Sequence, residues 1–306
     1  MAEPATASET PLARRTRLAL ARLLDVARDA PQCCAWPGPA VRRMGLDFPG
    51  PAGLAAGFDP HGALLGHAHR LGLGHVELGT VPGPALCGAG MAPARPGHPG
   101  PQASAAPRAV CGLSLGRHPA TPWARAEDDY FAGLQTLPPW VDYLTLNPGR
   151  SPPTAARFAQ LVAAVAAALG ADPARPRRPI IVKLPAAWTE GPEGARAAAD
   201  FVTRGADGLL LSAEGARDAG AALEALRRVA RAVPRDTCLI SVGGIHSARE
   251  ALARRHAGAD LVQLHRGLSE LGVDLIHTVN RALAAPLDSP APRNGAPPGR
   301  SAPFQG

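Results

Sequence analysis

Lys183 is the only lysine in a chain whose 32 Lys and Arg residues are otherwise all arginine. It stands near the end of an apolar run, Ile180-Ile181-Val182-Lys183-Leu184. Arginine stays charged, whereas a lysine ammonium is a compact donor whose pKa moves on desolvation, so a lysine in this place reads as a buried, adjustable donor. A lysine left by chance in an arginine-favouring composition would sit on a solvated helix face instead. Other apolar runs also end in short polar residues or glycines: Gly57-Phe58-Asp59, Thr80, Ser114, Asn147, Ser212, Gly243-Gly244 and His265-Arg266. Together they are the donors and acceptors that a polar, planar ligand needs around it. Taken singly, Thr80 or Ser212 reads as a turn residue at the end of a strand. Gly243-Gly244, followed by Ile245-His246-Ser247 and a helical pattern, is a glycine turn feeding a helix N-terminus, where backbone N–H groups can meet a phosphate. Arg266-Gly267 would close the other side of that site, although Gly-Gly also serves as a plain tight turn.

The elements that must position these residues follow from the rhythm of the chain. Short apolar runs fall at 53–58, 75–80, 111–116, 143–147, 180–184, 208–212, 238–244 and 261–265. Ala/Leu/Arg-rich helical stretches separate most of them, among them 154–169, 194–204, 219–233 and 247–256. Strand alternating with helix implies a parallel sheet, and eight such units predict an α/β fold of the (β/α)8 TIM-barrel type, with its chemistry at the carboxyl ends of the strands. One connection departs from the pattern: 81–108 is so rich in Pro and Gly that it predicts a long loop at the barrel mouth rather than a helix.

Residues 12–28 predict an amphipathic helix, with Leu12, Thr16, Leu20, Leu23, Leu24 and Ala27 on one face and the charged residues opposite, Leu18 excepted. Such a helix can pack on its own domain or lie on a membrane surface. The expected organisation is a disordered start (1–11), a helical extension (12–43), a barrel (44–284) and a disordered Pro/Gly-rich C-terminal tail (285–306).

Bulk properties narrow the function. A chain of 306 residues, 46% hydrophobic and 19% charged, can bury a sizeable core. The net charge of +7 is dispersed and only 4% of residues are aromatic, which argues against nucleic acid as a partner. The five cysteines, Cys33, Cys34, Cys87, Cys111 and Cys238, have neither CxxC nor zinc spacing, which fits a reducing cytoplasmic setting. The chain contains no run approaching the ~20 apolar residues of a spanning helix, and its start lacks the pattern of a signal peptide.

Several stretches carry a resemblance: MGLDFPGPAGLAAGFDPHG (44–62), HVELGTV (75–81), CGLSLGRHPATP (111–122), YLTLN (143–147), VKL (182–184) and SVGGIHSAREALARRHAGADLVQLHRGL (241–268). In this order they resemble the FMN-dependent dihydroorotate dehydrogenases of pyrimidine biosynthesis, in the membrane-associated, quinone-reducing class. The resemblance implies FMN as cofactor, with Ala56 and Gly57 as backbone wall, Thr80 as a flavin contact, Asn147 shared by flavin and substrate, and Gly244 in the phosphate turn. It implies for Lys183 a place by the flavin N1 and O2, where its charge would offset that of the reduced ring. Ser114, Ser212, Gly243, His265 and Arg266 complete the expected cofactor set, with Ser114 standing where the family has asparagine and His265-Arg266 replacing a tyrosine and a small hydroxyl residue. The N-terminal helix is similar to the family's membrane-facing extension but shorter. It implies a quinone partner and a peripheral contact through 12–28 at the inner face of the cell membrane.

On the substrate side the sequence departs from the family. Pro60 replaces the lysine that grips the dihydroorotate carboxylate, Ala213-Glu214 replaces an Asn-Thr pair, Pro153 replaces an asparagine, and both an Asn-rich and a glycine-rich segment are absent. The catalytic base matches Ser151 with a one-residue shift and Arg150 without it. Each lost charge-assisted contact is worth about 1.5–3 kcal/mol, so little or no dihydroorotate oxidation is expected, and the chain reads as a divergent paralogue. Two alternatives remain: an active FMN oxidoreductase, on dihydroorotate at low rate or on another substrate, and a flavin-free barrel for some other phosphorylated metabolite at the mouth.

Overall fold

Eight parallel strands close into a barrel in which each strand pairs with the next in sequence and the last returns to the first. In order they are β3 (Ala52–Leu54), β4 (His75–Pro82), β5 (Val110–Gly116), β6 (Tyr143–Asn147), β7 (Ile180–Leu184), β8 (Gly208–Ser212), β9 (Cys238–Val242) and β10 (Leu261–Leu264). The structure is a computed structural model, and it describes residues 10–29, 36, 38–83, 108–171 and 177–285. Residues 1–9 and 286–306, most of the two expected tails, lie outside the described residues, as do 84–107 of the expected mouth loop and Cys33, Cys34 and Cys87.

Helices cover the outside: α2 (Ala126–Gln135), α3 (Ala155–Gly170), α4 (Ala186–Thr189), α5 (Glu193–Thr203), α6 (Ala219–Ala232), α7 (Ala248–His256), α8 (Arg266–Leu271) and α9 (Val273–Ala284). Each of α3, α6 and α7 begins where a side-chain oxygen accepts a backbone N–H, from Thr154, Asp218 and Ser247 respectively. Between barrel and helices lies the larger apolar core, to which the strands contribute alternate residues such as Leu209, Leu211 and Leu239. The opposite residues face the barrel axis, and at its lower end Phe48, Val110, Tyr143, Ile181, Leu210, Cys238, Ile240 and Leu261 form a second apolar cluster.

Before the barrel come α1 (Pro11–Asp29) and an antiparallel hairpin, β1 (Val41–Arg43) with β2 (Leu46–Phe48). The hairpin brings Phe48 to the floor of the barrel and is tied there by Arg43 Nη2, which donates to Asp260 Oδ1 at 2.8 Å. The helix expected over 12–28 is α1, and within the expected extension 12–43 the last residues, Val41–Arg43, form a strand.

Along α1, Thr16, Ala19, Leu23 and Ala27 are buried, with Leu20 and Leu24 packed against the core. Leu12, expected on that face, is 37% exposed, because it stands in the first turn, where the helix runs beyond the barrel surface, and Leu18 is 44% exposed as its position implied. The helix packs on the barrel through α8, where Thr16 Oγ1 and Ser269 Oγ share a hydrogen bond at 3.1 Å. Among the described residues no helix is long and apolar enough to cross a membrane.

Candidate functional site

Strand alternation decides which of the candidate residues can meet. In β6, Tyr143, Thr145 and Asn147 turn inward while Leu144 and Leu146 join the outer core. In β7 the same parity turns Lys183 inward between Val182 and Leu184. In β4 it would turn Glu77 inward and Thr80 outward, since their separation is odd. A register shift against β5 between Gly79 and Val81 resolves this. Gly79 adopts φ +93°, and a Cβ there would lie 2.6 Å from Ser114 O, so only glycine fits the bulge that brings Thr80 back to the inner face.

At the upper end of the barrel Thr80, Ser114 and Asn147 form one connected set. Thr80 Oγ1 and Ser114 Oγ share a hydrogen bond at 2.9 Å, and Asn147 Nδ2 donates to Thr80 Oγ1 at 2.7 Å. Asn147 Oδ1 accepts from Gly149 N at 3.0 Å, and the Asn147 carbonyl accepts from Tyr130 Oη at 2.7 Å. Ser114 and Asn147 are buried, while Thr80 is exposed and Lys183 and Ser212 are half-buried. Lys183, expected to be buried, therefore keeps a face open to the mouth. Ser212 Oγ accepts from Glu214 N at 3.2 Å, the turn role that was its plainer reading.

Across the mouth, Gly57 N donates to Gly79 O at 2.7 Å, which fixes the backbone of 55–58 beside β4. Gly57 is exposed with φ +89°, and Ala56 is half-buried. His265 packs edge-on to Phe58, its ring centroid 5.9 Å away. Burial lowers its pKa, opposed by a hydrogen bond with the Gly57 backbone and by the charge of Glu214 and helped a little by Lys183 and Arg266. Arg266 is exposed at the start of α8. Asp59, which also ended an apolar run, points away from the ligand side: it is fully buried and accepts from Ala63 N and Leu64 N at 3.0 and 2.7 Å. The first expected run ends early for the same reason, since the chain leaves the sheet after Leu54 and turns through 56–62.

Gly243 and Gly244 have φ of +92° and +65° and form the expected turn before α7. The helix N-terminus beyond them is less open than expected. His246 N donates to Glu250 Oε2 at 2.7 Å and Glu250 N donates to Ser247 Oγ at 3.3 Å, a reciprocal cap that uses donors a phosphate would want. Ser151 is not brought into the ring in any bond described: it is exposed, and its carbonyl accepts from Trp123 Nε1 at 2.9 Å.

Beneath the polar ring lies a carboxylate that the strand-end reading missed. Glu77 is 1% exposed, and its Oε2 accepts from Gln263 Nε2 at 2.9 Å, Thr145 Oγ1 at 3.0 Å and Tyr143 Oη at 3.3 Å. Burial raises its pKa, opposed by these hydrogen bonds and by the charge of Lys183. Alternation could have found it, since Glu77 shares the inner parity of His75 and Gln263 that of His265. Among the described residues no group of three or more His, Cys, Asp or Glu side chains could hold a metal ion.

Comparison with known proteins bears on this geometry. A family model described as dihydroorotate dehydrogenase matches residues 211–287. The chain is 33% identical over 311 residues to a dihydroorotate dehydrogenase (quinone) of Anaeromyxobacter dehalogenans (strain 2CP-C), covering 82% of each. It is 29% identical over 336 residues to a protein of the same name from Halorhodospira halophila, covering 91% of this chain and 95% of that one. Among solved structures it is similar to DHODH from Eimeria tenella in complex with ferulenol, at TM-score 0.69 and 18% identity, over 90% of this chain and 92% of the other. At that identity the likeness shows the fold alone.

Proposed function

This chain belongs to the dihydroorotate dehydrogenase family, and from that premise we propose that it is an FMN-binding barrel that retains the flavin side of the site and oxidises dihydroorotate little or not at all. The observation that carries the reading is the contrast across the mouth. Thr80, Ser114 and Asn147 are hydrogen-bonded into one wall beside the inward-facing Lys183, whereas on the substrate side Pro60 offers no side-chain donor and Glu214 presents an exposed carboxylate.

The residues fit a flavin in their chemistry. The donors of Thr80, Asn147, Lys183 and Ser212 suit the polar edge of a planar ring, the backbone at Ala56 and Gly57 offers it a flat wall, and the positive-φ turn at Gly243 and Gly244 suits a phosphate. His265 and Arg266 would stand at the phosphate side. When bound, FMN supplies reversible hydride-accepting chemistry. Lys183 would place a positive charge beside the polar edge of the ring, where it offsets negative charge on the reduced flavin. An anionic substrate would lack the buried cation that should hold it and would meet Glu214 instead. Ser151 is the residue left to take a proton, and its exposure keeps it without the desolvation that tunes a base.

The exposed Leu12, Leu18 and Val26 of α1 support a peripheral membrane contact through 12–28, where a quinone acceptor would be met. A second reading, an active FMN oxidoreductase with a changed substrate, is favoured by the intact Asn147–Thr80 bond. Purified protein should be yellow, with a flavin spectrum that anaerobic dihydroorotate does not bleach. Bleaching at a rate typical of an enzyme would overturn the proposed loss, and colourless protein that cannot be reconstituted with FMN would overturn the flavin reading itself.

A further inference from the structure

Behind the Gly243–Gly244 turn, on the outer side of the barrel wall, lies a small pocket that opens to solvent. It is bounded by β8 and β9, by α4 and by α6, and Arg254 of α7 lines it together with Ser241, Ser212 and Thr189. It is off the barrel axis, and of the ring around Lys183 it shares Ser212 alone. Two sequence choices make it. Ala221, Ala222 and Ala225 keep the α6 side short. Ser241 occupies an outward position of β9, a class of position that elsewhere on β8 and β9 holds Leu209, Leu211 and Leu239.

Arg254 is what makes the cavity chemical. Its residue is 4% exposed, yet among the described residues it forms no ion pair within 4.0 Å, and the side-chain bond it makes is from Nη2 to Gly243 O at 3.3 Å. A guanidinium has five N–H donors, so most of its capacity remains. Its guanidinium reaches back to the Gly243 carbonyl ahead of the N-terminus of α7, and Glu250, one turn earlier on the helix, attracts it while its carboxylate accepts from His246 N and Ser247 Oγ. A cation so nearly buried without a carboxylate is costly unless an anion reaches it. Glu190 also lines the cavity, but it is solvent-exposed, and water screens it.

We propose that this cavity binds an oxyanion, a phosphate or carboxylate group, held by the Arg254 guanidinium with Ser241 beside it. The proposal goes beyond the flavin reading and does not need it. The oxyanion has two sources, the phosphate of the flavin nucleotide reaching past the Gly243 turn or a separate small anion, and the chemistry at Arg254 is the same for both.

The test uses the full chain. Inorganic phosphate should raise the melting temperature of the wild-type protein in a saturable way, and Arg254→Gln should weaken that apparent affinity at least tenfold, with Arg254→Lys recovering part of it. A merely structural tie to Gly243 would lower the melting temperature of Arg254→Gln and leave the phosphate dependence unchanged. Should Arg254→Gln fail to fold, Ala222→Leu fills the cavity from the half-buried face of α6 without touching Arg254, and it should abolish the phosphate response. Competition between phosphate and FMN, with loss of the preference for FMN over riboflavin in Arg254→Gln, would mark the flavin phosphate as the occupant. Simultaneous binding of phosphate and FMN would mark a separate anion. A wild-type protein indifferent to millimolar phosphate and showing no Arg254-dependent preference for FMN over riboflavin, or a folded Arg254→Gln or Ala222→Leu protein with undiminished phosphate affinity, overturns the proposal.

Discussion

Asn147 Nδ2 donates to Thr80 Oγ1 at 2.7 Å while Asn147 Oδ1 accepts from Gly149 N at 3.0 Å. The two bonds fix which way the amide faces and join the end of β6 to the bulge of β4. Both sides of the side chain are thereby held before any ligand arrives, the kind of preorganisation that lowers the ordering cost of binding.

Asn147→Ala should therefore weaken FMN more than the loss of one contact suggests. Thr80 would keep only its bond to Ser114, and the turn at 148–150 would lose its anchor. About a tenfold or greater loss in FMN affinity is expected, equivalent to roughly 1.4 kcal/mol. Flavin fluorescence titration of the refolded apoprotein reads it. An unchanged affinity would remove Asn147 from the cofactor site.

Lys183→Met tests the residue that first singled itself out by composition. The substitution keeps length and flexibility and removes the charge, so flavin content should fall or the flavin should become harder to reduce. Lys183→Arg should not restore the wild-type behaviour, because a rigid planar fork does not replace a point donor on a narrow inner face. Redox titration against a dye of known potential distinguishes lost binding from altered reducibility, and a potential unchanged in both variants makes the lysine incidental.

Gly112→Ala probes the layer beneath. A Cβ at Gly112 would fall 2.1 Å from the Tyr143 ring, and that ring carries the hydroxyl that donates to Glu77 at 3.3 Å. Overpacking of this kind costs typically 1–3 kcal/mol. Urea unfolding should show that loss together with a changed flavin environment above. Wild-type stability would mean that Tyr143 has room to move.

The barrel was legible because its signal is repetitive: short apolar runs alternate with helices from β3 to α8, and a single misplaced boundary does not alter the inference. Strand ends could be read for the same reason, so Thr80, Ser114, Asn147 and Lys183 were named before their contacts were known. The Glu77 cluster was harder to read. Glu77 and Gln263 are 186 positions apart, and nothing local to HVELGT says that its carboxylate will meet an amide from the other end of the chain. Arg254 was hidden by composition, as one arginine among several on a helix that also carries Arg249 and Arg255. Its burial arises only when β9 and α7 pack. The cap at Glu250 also escaped notice, because a glycine turn before a helix signals an open N-terminus unless the residue at its third helical position is considered.

His75 offers a test whose outcome depends on pH. It is wholly buried against Phe48, with ring centroids 5.6 Å apart, and neither Nδ1 nor Nε2 has a hydrogen-bond partner. Burial alone lowers its pKa from 6.5 to about 3, so the folded protein keeps it neutral while the unfolded chain protonates it near pH 6.5. The unfolded state then binds more protons between these values. The stability associated with neutral His75 is complete above pH 6.5 and is lost as pH falls towards 3, at up to about 1.4 kcal/mol per pH unit. Glu77 acts in the opposite sense: its raised pKa gives stability that is complete below its ordinary value and declines as pH rises through the folded one. A single stability curve would therefore mix the two. His75→Leu removes one contribution and keeps a similar volume, so the difference between mutant and wild-type curves isolates it. The variant should be more stable at pH 7 by about 1–3 kcal/mol, the cost of leaving buried polar atoms unpaired, and its advantage should widen steadily as pH falls from 6.5 towards 4. Urea denaturation at half-unit pH intervals measures this directly, and a difference curve that stays flat across the range would show that the imidazole has a partner or is reached by water.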